Sequence, residues 1–185
     1  MPELGPRLTE TIRIKAGQFG IPAPLIEAMA LVESAGRLFA IRHEPDYRWL
    51  WNCATSQPFR RLSDEEAASA RPPADFVVPK GWPSNAATEW MGQKTSWGPL
   101  QVMGAVAREH GYAGALPELC SELGVYNGCL HMDRLRARWF GGYGWAGVVA
   151  AYNAGSVRVG VAGEFQNQAY VDKVRKALGC PFSQL

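Results

Sequence analysis

One carboxylate of this 185-residue chain, Glu33, falls on the apolar face of a pattern that predicts a helix. Ile26, Ala30 and Glu33 are spaced i, i+4, i+7, which brings them to one helix face. The carboxyl group would lie in the last turn, where burial and the negative helix end both raise its pKa. A carboxylic acid held protonated near neutral pH can protonate a leaving oxygen, so the pattern indicates a general acid. The alternative interpretation is an ion pair with Arg37 at i+4.

Three later segments place polar and aromatic side chains at the edges of predicted helices. Residues 96–103 read Ser-Trp-Gly-Pro-Leu-Gln-Val-Met, residues 150–155 read Ala-Ala-Tyr-Asn-Ala-Gly, and residues 170–174 read Tyr-Val-Asp-Lys-Val. Together with Glu33-Ser34, and in this order, they resemble the motifs of the soluble (SLT) family of lytic transglycosylases. Those motifs are Glu-Ser, Gly-Leu-Met-Gln, Ala-Tyr-Asn-Ala-Gly and Tyr-Val-x-x-Val. The resemblance extends from about residue 22 to 178 and implies a lysozyme-like fold.

The resemblance implies cleavage of bacterial peptidoglycan between N-acetylmuramic acid and N-acetylglucosamine. Glu33 would be the single catalytic residue, acting as acid and then as base, and the product would carry 1,6-anhydromuramic acid. Tyr170 would bring its hydroxyl to the Glu33 carboxyl and orient it. We expect no cofactor and no metal, since His43, His110 and His131 show no metal-ligand spacing. The residues expected to contact the glycan strand or to line its groove are Ser96, Gln101, Tyr152, Asn153 and Tyr170.

Four of these residues also have structural interpretations. Ser96 is equally suited to cap a helix that begins near Pro99. Gln101 can be a surface residue, and Tyr152 can be a core aromatic with a satisfied hydroxyl. Asn153 precedes Ala-Gly and suits the C-terminal cap of a helix, a role that is compatible with a substrate contact.

Two departures from the family pattern stand out. Pro99 and Leu100 occupy the positions where the family has Leu and Met, an apolar exchange in the expected groove wall. In addition, Glu33 and Gln101 stand 68 positions apart, far more than the compact family pattern. We therefore predict an irregular insertion at about residues 38–94, between the catalytic helix and the Gly-Pro-Leu-Gln segment.

The predicted insertion contains a candidate for a second carboxylate, Glu44. A hydrolytic muramidase would use such a group to activate water, so hydrolysis by Glu33 and Glu44 is the alternative reaction. The competing interpretation pairs Glu44 with Arg42, Arg48 or a backbone amide. Residues 42–49 are similar to segments of phage and prophage members of the family, which indicates a phage-type enzyme.

Hydrophobic periodicity predicts a mainly α fold, and the resemblance implies one lysozyme-like catalytic domain over residues 1–185. A capping box at 63–66 and a short strand at 77–78 are expected within the insertion. Near the start of the chain and after the insertion, the predicted helices cover residues 9–19, 22–34, 99–110, 117–123, 125–140, 145–153 and 167–178.

Composition narrows the classes of partner. A net charge of +2 is too small to indicate nucleic-acid binding. No apolar run reaches the roughly 18 residues of a membrane span. The N-terminus lacks a basic-then-apolar signal pattern, so we expect synthesis in the bacterial cytoplasm, from a bacterial or phage gene, and action on the cell wall or periplasm.

We expect a monomer whose partner is peptidoglycan. The alternatives are a non-catalytic peptidoglycan-binding or scaffold protein and a chitinase-like hydrolase.

The cysteines and tryptophans leave two questions open. No CxxC pair is present, so free thiols are favoured over a metal site, and Cys120–Cys129 is the pairing expected if a disulfide forms. One or two tryptophans are expected to stack on sugar faces while the rest fill the core. The candidates for stacking are Trp49, Trp51, Trp90 and Trp97.

Overall fold

A computed structural model describes residues 3–185 and is mainly helical, which confirms the predicted class. Within this range there are seven α-helices and five short strands. The helices are α1 (Pro6–Gln18), α2 (Ala23–Ser34), α3 (Asp64–Ala68), α4 (Ala86–Gln93), α5 (Gly104–Glu109), α6 (Glu122–Ala154) and α7 (Gln168–Leu178). The strands are β1 (Ile41–His43), β2 (Trp51–Asn52), β3 (Gln57–Pro58), β4 (Thr95–Trp97) and β5 (Val102–Met103).

The chain divides into two compact units. The first unit contains the residues up to Arg37 together with Gly128–Leu185, and the second contains Leu38–Asn127. The second unit starts where the predicted insertion starts, but it continues beyond residue 94. The prediction of one catalytic domain over the whole chain stays a prediction. No helix within residues 3–185 is both long and apolar enough to cross a membrane.

Helices α1, α2 and α7 of the first unit follow the sequence prediction closely. Prolines occupy the first turns of α1 and α2, where a missing N–H leaves no hydrogen bond unmade. Helix α2 ends at Ser34 because Ala35 turns into the left-handed region at φ 54°, and α7 ends at Leu178 because Gly179 does the same at φ 78°. Helix α2 packs against both α1 and α7. The side chains that α2 buries are Leu25, Ile26, Ala28, Met29, Ala30 and Ser34.

Helix α6 joins what the sequence predicts as two helices. The separation expected after Phe140 does not occur there, and helical structure continues to a kink at Gly144. Gly144 has φ 57° and ψ −162°, a backbone conformation that glycine adopts without a steric penalty. The part beyond the kink covers the helix predicted at 145–153 and carries the buried residues Val148–Ala151.

The second unit contains a small antiparallel sheet in the order β1-β4-β5 and a separate β2-β3 pair. Its apolar core is supplied by residues from α3, α4 and α5, from the segments before α3 and from the loop between α3 and α4. The predicted capping box is confirmed, because Ser63 and Glu66 accept each other's backbone N–H groups at 3.1 and 2.9 Å. The buried core residues are Leu50, Leu62, Ala67, Phe76, Trp90 and Ala105.

Three predicted elements of the second unit differ from the structure, and only the first of them is wholly absent. Val77–Val78 forms no strand: Phe76 takes the core position, and Pro79 follows directly. The helix expected from Pro99 starts only at Gly104, because residues 98–101 form a turn that pairs β4 with β5. The helix expected at 117–123 is a 3₁₀ helix over Leu116–Leu119.

Candidate active site around Glu33

Glu33 lies in the last turn of α2, as the sequence predicts. It is half-buried, whereas Met29, Ala30 and Ser34 beside it are buried. The end of the helix is held by side chains, since Ser34 Oγ donates to the Ala30 carbonyl at 3.0 Å and Arg37 Nε donates to the Ser34 carbonyl at 3.0 Å. The carboxyl therefore sits on a fixed helix end rather than on a loop.

Tyr170 on α7 donates its hydroxyl to Glu33 Oε1 at 2.5 Å, the contact that the resemblance implies. Burial, the negative charge of Glu33 and this hydrogen bond raise the pKa of Tyr170 well above its usual value. Tyr170 therefore remains a neutral hydrogen-bond donor at any physiological pH. It holds one oxygen of the carboxyl group in a defined orientation.

Tyr152, near the end of α6, belongs to the same group of side chains. Burial, then the charge of Glu33 and that of Cys129, raise the pKa of Tyr152 well above its usual value. The His131 ring lies 5.2 Å from the Tyr152 ring. Burial and the charge of Arg134 lower the pKa of His131 to about 4, so this imidazole is neutral at pH 7. Glu33 is thus accompanied by two neutral phenols and a neutral imidazole.

Asn153 is exposed on the last turn of α6. Its Oδ1 accepts a hydrogen bond from Asn167 Nδ2 at 2.9 Å, and Asn167 Nδ2 also donates to the Ala150 carbonyl at 3.0 Å. Gly155 follows the helix with φ 73°, so the Asn-Ala-Gly segment does coincide with a helix end. Sequence analysis did not identify Asn167, because its partners lie 14 and 17 positions away.

Gln101 and Ser96 form a network in the second unit. Gln101 Nε2 donates to the carbonyls of Ala40 and Gly98 at 3.1 and 2.9 Å, and Ser96 Oγ lies 2.9 Å from Gln101 Oε1. Gln101 has φ 47°, and its side chain secures the turn between β4 and β5. The alternative role of Ser96 as a helix cap is wrong, since Ser96 lies in β4 and Met103 precedes α5.

Glu44 also lies in the second unit and is paired. Arg42 Nε donates to Glu44 Oε1 at 2.5 Å, which confirms the ion-pair interpretation of this residue. Arg48 pairs with Asp64 instead. The role of Glu44 as a second catalytic carboxylate stays a prediction.

A fully buried ion pair in the second unit escaped the sequence analysis. Arg108 Nε and Nη2 donate to the two oxygens of Glu89 at 2.7 and 2.9 Å, and neither side chain is more than 1 % exposed. Arg108 Nη1 donates to the carbonyls of Tyr112 and Gly114. The pair joins α4 to α5, and no motif pointed to it because α4 was placed within the irregular insertion.

Additional donors complete the surroundings of the Glu89 carboxylate. Trp82 Nε1, Ser84 Oγ and Gln93 Nε2 donate to it at 3.1, 2.6 and 3.0 Å. Burial alone would raise the pKa of Glu89, but the hydrogen bonds from Arg108 and Ser84 and the charge of Arg108 outweigh it and lower the pKa to about 2. We interpret this cluster as structural, because every oxygen of the carboxylate already has donors within the fold.

A cavity of about 570 Å³ lies wholly within the second unit. Met91, Trp97 and Leu116 contribute to its mainly apolar lining. Its one charged lining residue is Glu89, whose carboxylate is bound by Arg108. The lining includes none of the candidate catalytic and glycan-binding residues, which are Glu33, Glu44, Ser96, Gln101, Tyr152, Asn153 and Tyr170. The cavity therefore offers no acid or base to a ligand.

Burial decides two of the four tryptophan candidates, and the roles of Trp49 and the half-buried Trp51 stay predictions. Trp90 and Trp97 are 0 % and 8 % exposed and donate their indole N–H groups to backbone carbonyls, so sugar stacking by these two is wrong. Trp49 is 77 % exposed. All four cysteines are free thiols, and within residues 3–185 no three His, Cys, Asp or Glu side chains are grouped to hold a metal.

Comparison of the chain with known protein families, with curated proteins and with solved structures gave no match.

Proposed function

We propose that this protein is a lysozyme-like lytic transglycosylase that cleaves the glycan strands of bacterial peptidoglycan between N-acetylmuramic acid and N-acetylglucosamine. The observation that carries the proposal is the hydrogen bond from Tyr170 to Glu33 at 2.5 Å. It joins two side chains 137 positions apart, one from the first motif of the family pattern and one from the last. A phenol that orients a half-buried carboxyl at a helix end is an arrangement suited to proton transfer.

In the proposed reaction, Glu33 first protonates the glycosidic oxygen. The acetamide of the muramic sugar stabilises the positive charge that develops on its ring. The bond between C1 of the muramic sugar and the glycosidic oxygen breaks, and N-acetylglucosamine leaves with the proton from Glu33. The Glu33 carboxylate then accepts the proton of the muramic 6-hydroxyl, whose oxygen bonds to C1 and closes the 1,6-anhydro ring without water. Tyr170 would donate to the carboxyl in both states, because its raised pKa keeps it neutral throughout.

The group around Glu33 supports a single-carboxylate mechanism. Tyr170 donates to the carboxyl, Tyr152 is a neutral phenol, and the neutral His131 adds no charge beside Tyr152. Glu44 is engaged by Arg42, which opposes its use as a free base. The proposal includes the cell wall as the place of action, peptidoglycan as the partner and a monomer as the working form.

The Glu44→Gln variant should retain cleavage activity within about twofold of the wild-type rate, because it removes only a surface ion pair of small energetic value. The measurement is the release of soluble fragments from purified peptidoglycan. Arg42→Gln is the matched control, since it breaks the same pair from the other side. Loss of activity in Glu44→Gln but not in Arg42→Gln would replace the proposed reaction by two-carboxylate hydrolysis.

Zymography tests the proposed function itself. The folded wild-type protein should clear a gel that contains bacterial cell walls and leave a chitin gel intact. A protein that binds the cell walls without clearing them would be a peptidoglycan-binding or scaffold protein, and the proposal would be withdrawn. Clearing of chitin alone would indicate the chitinase-like alternative.

A further inference from the structure

An exposed apolar patch of the first unit extends from α6 into the loop before α7. The centroid of the Tyr143 ring on α6 lies 6.2 Å from that of Trp139 and 6.3 Å from that of Phe165 in the loop. Phe140 and Tyr143 are both exposed, and their i, i+3 spacing brings them to one face of the helix. We define the apolar patch as Trp139, Phe140, Tyr143, Val159, Val161, Ala162 and Phe165.

The loop before α7 is a tight hairpin with an apolar tip. Val159 pairs with Phe165 in an antiparallel bridge. Within the hairpin the N–H of Gly163 donates to the carbonyl of Gly160 at 3.1 Å, which closes a β-turn. Both central residues of this turn are apolar, and Val161, the first of them, is fully exposed. Turn residues are usually polar or glycine, so the fold itself does not account for this tip.

Arginines border the apolar patch on both elements. The guanidinium of Arg138 on α6 lies 4.9 Å from the centroid of the Trp139 ring, and Arg158 lies in one arm of the hairpin. Among residues 3–185, no side chain forms an ion pair with either arginine. Residues 133–166 carry four arginines and two acidic residues, and one of these acids is already bound by an arginine three positions away. The border of the patch is therefore positively charged.

This combination indicates the chemistry of the partner. Aromatic and aliphatic side chains beside arginine are typical of protein surfaces that lie in the headgroup region of a bilayer. There, aliphatic side chains enter the acyl region while guanidinium groups bind lipid phosphates. A glycan strand stacks on flat aromatic rings, which the valine and alanine of the tip do not offer. A second copy of the chain would bring the same arginines against these ones, and like charges repel.

We propose that the apolar patch docks the protein on the surface of an anionic lipid bilayer. The tip of the hairpin, with Val161, enters the bilayer, and Arg138 and Arg158 bind lipid phosphates beside it. The contact is peripheral and spans no part of the bilayer core. It does not depend on the proposed reaction, because it concerns where the protein is held and not which bond it cleaves.

Co-sedimentation of the full chain with lipid vesicles tests the inference. Wild type should bind vesicles of mixed phosphatidylcholine and phosphatidylglycerol roughly 25-fold more tightly than vesicles of phosphatidylcholine alone, about fivefold for each of the two arginines. Added salt should reduce this preference. Val161→Asp should bind the mixed vesicles at least about tenfold more weakly, because it exchanges an aliphatic side chain for a charge that the acyl region and the lipid phosphates both disfavour.

Matched variants of the second unit provide the controls. Val77 is an exposed valine outside the apolar patch, and Val77→Asp should bind both kinds of vesicle as wild type does. Arg158→Gln should bind the mixed vesicles about fivefold more weakly and leave binding to pure phosphatidylcholine unchanged. Arg71→Gln, which changes an exposed arginine elsewhere, should alter neither. Circular dichroism checks that Val161→Asp is folded, as the full exposure of Val161 predicts.

Three results would overturn the inference. The first is that wild type does not bind the mixed vesicles at low salt, or binds them no better than Val161→Asp. The second is a dimer in sedimentation equilibrium that Val161→Asp abolishes, which would assign the apolar patch to a second copy. The third is lipid-independent binding to insoluble peptidoglycan that Val161→Asp abolishes, which would assign the patch to the cell wall. Peptidoglycan cleavage without vesicles should be unchanged in Val161→Asp, so the proposed function is tested separately.

Discussion

Replacing Glu33 with Gln should lower the rate of peptidoglycan cleavage by a factor on the order of 10³ to 10⁴, the usual value of a general acid or base. The proposed reaction uses this carboxyl twice, first as acid and then as base, and an amide can do neither. The amide oxygen still accepts the hydroxyl of Tyr170, so we expect the fold to be retained. Fragment release from purified peptidoglycan measures the loss, and circular dichroism measures the fold.

Glu27→Gln is the matched control for that variant. Glu27 lies on α2 as well, is half-buried, and has a pKa that burial raises. It belongs to none of the motifs and should keep full activity. Retention of more than about a tenth of the activity in Glu33→Gln would remove Glu33 as the acid. Equal losses in both variants would point to damage to α2 rather than to chemistry.

Replacing Arg108 with Met should lower the free energy of unfolding by about 3–5 kcal/mol, because it leaves a buried carboxylate without its positively charged partner. Glu89 is 0 % exposed, and Arg108 supplies two of its hydrogen bonds. The carbonyls of Tyr112 and Gly114 lose their donor as well. Urea unfolding measures the cost, and the thermal midpoint should fall by roughly 10 °C.

Two controls identify the origin of this loss. Arg13→Met removes an exposed i, i+3 partner of Glu10 and should cost less than about 1 kcal/mol. The double variant Glu89→Met, Arg108→Met should be more stable than Arg108→Met alone, because it removes the stranded charge with its partner. A double variant less stable than the single one would show that the loss comes from packing and from the donors Trp82, Ser84 and Gln93 rather than from an unpaired charge.

The effect of Arg108→Met should also depend on pH. The pKa of Glu89 is lowered from 4.5 to about 2 in the fold, so in wild type its carboxylate stabilises the protein above about pH 4.5 and this contribution is lost as pH falls through 2. Without Arg108, burial dominates and raises that pKa, so the variant loses stability as pH rises. The difference in unfolding free energy between wild type and variant should therefore shrink as the pH is lowered from 7 to 3.

Much of the first unit could be predicted from sequence because its signals are local. Proline in the first turn marks the start of α2, glycine after the last turn marks the end of α7, and the i, i+4, i+7 spacing placed Glu33 on the correct part of α2. The contact between Tyr170 and Glu33 is not local. It was expected only through the resemblance, since no spacing rule relates residues 137 positions apart.

The second unit was predicted poorly because local sequence signals are weak or misleading there. Strands β1, β4 and β5 are two or three residues long, which is too short to show an alternation of apolar and polar residues. The sequence predicted the start of a helix in the turn before β5, because proline favours the first turn of a helix. Gly98 with φ 71° and Gln101 with φ 47° reverse the chain there instead. A Cβ at Gly98 would collide with the carbonyl oxygen of Leu119, a constraint that only the folded chain reveals.

The most direct test of the proposed reaction is the mass of its products. Purified peptidoglycan should be digested with wild-type protein and with Glu33→Gln, and the released muropeptides weighed by mass spectrometry. We predict wild-type products that are lighter by one water than reducing muropeptides, and almost no products from Glu33→Gln. Products with ordinary reducing ends would contradict the anhydro mechanism and make the protein a hydrolytic muramidase.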